Sequence, residues 1–203
     1  MSPTTPPELT VLGSPPKERS DAARNRTRLL DVAARLVAEH GAQNVTMEQV
    51  AAGAGVGKGT VFRRFGDRTG LMRALLDHAE KTFQREFLTG PPPLGPGSGP
   101  VERLRAFGVA MIAHRLRYRD MYLAAEEPAE RRYADDPPRA VHARHVGTLL
   151  GAAGATGDLE LLTQSLLAYL DTPFLHYLST VHGMSPERLG DGWVRLVDGV
   201  VGA

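Results

Sequence analysis

The run Gly-Ala-Gly-Val-Gly-Lys-Gly-Thr at residues 53–60 constrains this chain more than any other segment. Four glycines in eight positions cost too much chain entropy for the interior of a helix or a central strand. The run centres on a turn, and its flanks decide which kind. Upstream, Thr46-Met-Glu-Gln49 has the T-x-x-Q form, in which the threonine caps the Gln49 amide and the glutamine reaches back. A short helix begins there and ends before Gly53-Ala54-Gly55. Downstream, Val56–Phe65 is long enough for about two helical turns. Gly66-Asp67 closes that segment, and Asp67 is placed to cap a longer helix carrying Leu71, Leu75, Ala79 and Phe83.

Two chemistries compete for such a turn. A phosphate loop needs G-x-x-x-x-G-K-[ST] after a strand. Aligning Gly57-Lys58 puts Ala52 at the first glycine and Gly59 at the magnesium-binding hydroxyl, and a capped helix stands where the strand belongs. Two short helices around a glycine turn instead form the DNA-reading helix-turn-helix, whose second helix presents its N-terminal residues to base edges. Gly57 and Gly59 keep that leading edge slim. Lys58 and Thr60 can meet bases or phosphates, Arg63 and Arg64 add charge one turn later, and Arg68 lies just beyond. No acid occurs between Val56 and Arg64. A helical module whose basic edge docks on another protein is the alternative, with a nucleotide-binding protein behind it.

The net charge of +1 (24 Lys and Arg against 23 Asp and Glu) excludes a uniformly basic coat. It averages two halves: residues 1–90 hold 13 basic and 10 acidic side chains, and residues 91–203 hold 11 and 13. The absence of cysteine excludes disulfide scaffolds, zinc ribbons, iron–sulfur clusters and thiol catalysis. No apolar run has transmembrane length and the N-terminus lacks the form of a secretory signal, so the expectation is a cytoplasmic protein with no membrane partner.

The rest of the chain reads as helix, giving an all-α fold. Residues 1–19 are expected as a disordered tail, 20–66 as the helix-turn-helix domain and 67–89 as a connecting helix. Residues 90–100, Gly-Pro-Pro-Pro-Leu-Gly-Pro-Gly-Ser-Gly-Pro, form a loop, and 101–203 form a helical regulatory and dimerisation domain. Helical spacing recurs at Val101, Leu104, Phe107 and Met111, from Val141 to Leu150, and from Leu159 to Tyr177, where Pro173 should interrupt it. Ser185-Pro186-Glu187 starts a last helix with a stripe at Leu189, Trp193, Leu196, Val197 and Val200.

Thr46 to Phe65, followed by Gly-Asp-Arg-Thr-Gly-Leu71, resembles the N-terminal domain of TetR-family transcriptional regulators, with order and spacing kept from about Arg24 to Leu76. The resemblance implies a homodimeric regulator, usually a repressor, that binds a palindromic operator in double-stranded DNA and is released by a small-molecule effector. By position, Thr46 resembles the family's phosphate contact, and Lys58, Gly59 and Thr60 its groove-facing residues. Phe62 and Arg64 stand where Tyr and His are frequent, and Arg68 where Lys is. Phe62 lacks the hydroxyl that would bond a phosphate.

The second half carries no comparable motif. The stripe Leu189, Trp193, Leu196, Val197 and Val200 is read as a dimer face, since family members pair through their last helices, with Leu166 and Leu170 joining it. Residues able to line an effector cavity are Phe107, Met111, His114, Met121, Tyr122, His142, His145, Tyr169 and Phe174, which suits an apolar or amphipathic molecule. The histidines lack metal-ligand spacing, and neither G-x-S-x-G nor HExxH occurs. No metal, no cofactor and no enzymatic activity are expected.

Overall fold

The computed structural model describes residues 17–124 and 137–202. The first sixteen residues of the expected tail lie outside them. Helix α1 (Lys17–His40) begins three residues before the expected Ser20. A short 3-10 turn, η1 (Ala42–Asn44), leads to α2 (Met47–Ala54), α3 (Lys58–Phe65) and the 22-residue α4 (Arg68–Thr89). Next come α5 (Pro100–Arg117), α6 (Arg119–Ala124), α7 (Pro137–Ala152), α8 (Leu159–Tyr169), α9 (Thr172–Thr180) and α10 (Pro186–Val201). The fold is all-α.

Local chemistry explains the boundaries. The Thr46 hydroxyl accepts from the Gln49 amide at 3.2 Å, and Gln49 Oε1 accepts from the Thr46 amide at 2.8 Å, closing the capping box that opens α2. Gly55 ends α2 in the left-handed region (φ 64°), and the Val56 amide donates to the Ala51 carbonyl at 3.0 Å. Asp67 caps α4 through the Gly70 amide and Ser185 caps α10 through the Arg188 amide. Pro173 splits the expected Leu159–Tyr177 helix into two, because its missing N–H is tolerated only in a first turn. Asp171 precedes it without capping it; its carboxylate takes the Arg139 guanidinium at 3.0 Å.

Two apolar cores divide the molecule. The head core joins Leu29, Leu30 and Ala33 of α1 to Val50, Ala51, Val61, Leu71 and Leu75, and also holds Tyr118 and Met121 from the second half. The body core runs from Phe83 and Phe87 through α5, α7 and α8 to α10. The Pro/Gly stretch between α4 and α5 is an ordered turn: the Gly95 amide donates to the Pro91 carbonyl at 2.9 Å, and Leu94 packs on the body core.

The expected dimer stripe is mostly turned inward. Leu189, Trp193 and Val197 are buried in the chain's own body, with Leu166 and Leu170. The cause is a close approach of α10 to α5 at Gly108: a Cβ built there would stand 1.9 Å from the Trp193 ring. The indole Nε1 donates to the Leu104 carbonyl at 2.9 Å. Of that set only Leu196 is exposed, and Val200 is half-buried.

Candidate functional site

The outer edge of the helix-turn-helix is built by α3. Val61 is its buried anchor, while Lys58, Gly59, Phe62, Arg63 and Arg64 are exposed and Thr60 is half-buried. Among the described residues a Cβ added at Gly57 or Gly59 would meet nothing within 4 Å, so their packing requires neither glycine. Arg63 and Arg64 make no ion pair or hydrogen bond among the described residues. Lys58 pairs with Glu48 on α2 and lies 5.3 Å from the Phe62 ring centroid. The lysine holds the Glu48 carboxyl below its usual range by hydrogen bonding to it. Thr46 is exposed, with its hydroxyl committed to the cap.

Arg68 has a different job from the one its position suggests. Its guanidinium donates to the Val45 carbonyl at 3.0 Å and to the Ala42 carbonyl, clamping η1 to the start of α4. The Ala42 carbonyl also accepts from the Val45 amide at 3.4 Å, so the guanidinium bridges the start of the 3-10 turn and the residue that follows it. Two of the three guanidinium nitrogens are therefore engaged inside the head, while the residue itself remains exposed.

A second polar constellation lies in the body, around a glutamate that apolar patterning hides. Glu80 is buried on the face of α4 shared by Leu76, Phe83 and Phe87. The Tyr122 hydroxyl donates to its Oε2 at 3.2 Å, and Gln84 donates to Oε1 at 3.3 Å. His142 Nε2 stands 2.7 Å from Oε1 but out of line for a directional hydrogen bond, and His114 Nε2 stands 3.7 Å from Oε2 and 2.9 Å from the Tyr122 hydroxyl. Burial would raise the Glu80 carboxyl. The His114 and His142 contacts, with the charges of His142 and Arg115, hold it well below the ordinary carboxylate range. Burial pushes the His114 imidazole down.

Five of the expected cavity residues gather here. His114 stacks on Phe83 at 5.0 Å between centroids, and Phe107 touches the rings of His142 and His145. His145 Nε2 is buried with no hydrogen-bond partner among the described residues, and burial, with the Arg103 and His142 charges, pushes its pKa down to about 4. Tyr122 joins through its hydroxyl. Met111 is body core, Met121 is head core, and Tyr169 and Phe174 sit apart beside Leu196 in a shallow surface groove. Phe174 is exposed and cannot line an interior cavity.

Glu80, Gln84 and Arg115 are members of this cluster that sequence reasoning misses. The available signal is an acid at 80 in the apolar series 76, 83 and 87, at helical spacing. Among the described residues, no group of three or more His, Cys, Asp or Glu is arranged to hold a metal, and no helix is long and apolar enough to cross a membrane.

A helix-turn-helix with a basic outer edge, joined to a helical body, is the architecture of a class of DNA-binding regulator. Residues 29–75 match the profile of bacterial regulatory proteins of the tetR family. An HTH-type transcriptional regulator of Staphylococcus aureus (strain bovine RF122 / ET3-1) is 35% identical over 69 residues, 34% of this chain and 37% of the relative. A second, from strain USA300, is 40% identical over 53 residues, 26% of this chain and 29% of the relative. The chain thus spans about a third of the length of the curated relatives it matches. The fold extends further: a Rhodococcus transcriptional regulator superposes with TM-score 0.62 at 20% identity over 87% of this chain and 96% of that one. A fatty acid degradation regulator from Bacillus halodurans gives 0.60 at 17% over 86% and 95%. By sequence the tetR-family match lies in residues 29–75, and over most of its length the chain shares the helical fold of these solved regulators.

Proposed function

We propose that this chain binds duplex DNA through α3 as a homodimer, recognises a palindromic operator, and acts as a repressor released by a small molecule. One observation carries the reading: the outer edge of α3 presents Lys58, Arg63 and Arg64 around two glycines that packing among the described residues does not require. An edge without Cβ atoms lets the helix N-terminus approach a groove wall, and cations beside it replace condensed counterions.

The second copy is assigned to the outward faces of α9 and α10, where Phe174, Tyr177 and Leu196 are exposed, with Val181 just beyond α9. Two heads related by a two-fold axis would meet half-sites about 34–36 Å apart. The effector is assigned to the body near Glu80, where polar anchors stand among Phe83, Phe87 and Phe107, a setting suited to an apolar or amphipathic molecule. Such a ligand acts by binding one head arrangement better than another. Selecting duplexes from a random library tests the reading. Enrichment of one palindrome supports it, and recovery of unselected sequence refutes it.

A further inference from the structure

Three exposed groups meet at the start of α3. Lys58 Nζ pairs with the Glu48 carboxylate from the first turn of α2, and lies 5.3 Å from the Phe62 ring centroid. The side chains of Lys58 and Glu48 are 58% and 53% exposed, so neither is locked by burial. An ordinary surface lysine swings on a four-carbon stem toward whichever phosphate is nearest. This one is held between a carboxylate and an aromatic face. Helix α3 itself carries no acid, and Glu48 comes from the neighbouring helix to meet its first residue.

Resting on the DNA-binding reading, we propose that Glu48 is a positioning residue that sets sequence selectivity, holding Lys58 for a base edge rather than for a phosphate. An ammonium has three N–H donors. Lys58 can therefore keep Glu48 and still donate to the O6 and N7 acceptors of a guanine in the major groove. Affinity for nonspecific DNA comes from phosphate contacts and counterion release. There the paired Lys58 and Glu48 carry no net charge, so the pair neutralises no phosphate and releases no counterion. Glu48 thus weakens binding to wrong sequences more than binding to the right one.

The test compares the wild type, Glu48→Gln, Lys58→Ala and the double variant by fluorescence anisotropy over a salt series. The probes are the duplex selected by the wild type and a scrambled duplex of equal length. Glu48→Gln is expected to tighten scrambled-duplex binding about three- to tenfold and steepen its salt slope by about one per bound head. Operator affinity should stay within about twofold, so the specificity ratio falls, and the effect should vanish in the Lys58→Ala background. An unchanged ratio, an equal gain on both duplexes, or a gain that survives loss of Lys58 overturns the proposal. A wild type that selects no duplex removes the underlying reading as well, and is told apart because it fails before any variant is compared.

Discussion

Tyr122 donates its hydroxyl to Glu80 Oε2 at 3.2 Å, tying α6 to the buried charge of α4. Met121, one residue earlier, is buried in the head core with Tyr118. Adjacent residues of one short helix thus serve the interiors of both halves, and a disturbance at Glu80 has a direct path to the head. Tyr122→Phe should lower stability by about 1–2 kcal/mol, since a buried carboxylate loses a donor. Glu80→Ala should cost about 3 kcal/mol, because the Tyr122 hydroxyl and the His114 and His142 imidazoles lose their shared buried partner. Urea denaturation measures both; unchanged midpoints would mean that the cluster is solvated.

Gly59 offers a substitution with opposite effects on fold and function. Gly59→Ala should stabilise α3 by about 0.5–1 kcal/mol, because alanine costs less chain entropy and its Cβ meets nothing. The same methyl should weaken duplex binding by about tenfold if DNA approaches that edge. Thermal melts paired with gel shifts separate the two. A stabilised variant of undiminished affinity would place the DNA elsewhere.

The α5–α10 contact is expected to behave as core. Gly108→Ala should cost about 3 kcal/mol or more, because the new methyl falls within the Trp193 ring volume. Trp193→Ala should cost about 3–5 kcal/mol. Leu196→Glu, on the exposed side of α10, should leave secondary structure intact while lowering the sedimentation coefficient toward that of a monomer. If Leu196→Glu left the assembly unchanged, the second copy would not sit on this face.

Much of the head is legible in the sequence because its signals are local. Thr46 and Gln49 specify a helix start within four residues, and Gly55 a stop. The body is harder. The Trp193 stripe shows that a face is covered but not by what, and Gly108, which makes room for the indole, lies 85 positions earlier. Arg68 reads as one more cation near the reading helix; its carbonyl partners are 23 and 26 residues away. Glu80 is a lone acid in an apolar series, and its meaning depends on His114, Tyr122 and His142 arriving from three other helices.

His145 gives the body a pH dependence of defined sign. Its folded pKa of about 4 lies below the model-peptide value of 6.5, so the folded state refuses a proton that the unfolded chain accepts. Stability is complete above pH 6.5 and is lost as pH falls toward 4. The loss is about 2 kcal/mol once solvent screening is allowed for. Buried His114, pushed in the same direction, adds to it. Melting temperatures between pH 7.5 and 4.5 should fall less for His145→Leu than for the wild type, and parallel curves would remove His145 as the cause.

The reading edge of α3 is the centre of the account, and the salt dependence of duplex binding by Lys58→Ala and Arg64→Ala tests it most directly. Each variant should bind the selected duplex about tenfold or more weakly, and Arg64→Ala should also make the slope of log affinity against log salt shallower by about one per head. Affinity and slope unchanged from the wild type in both variants would contradict it.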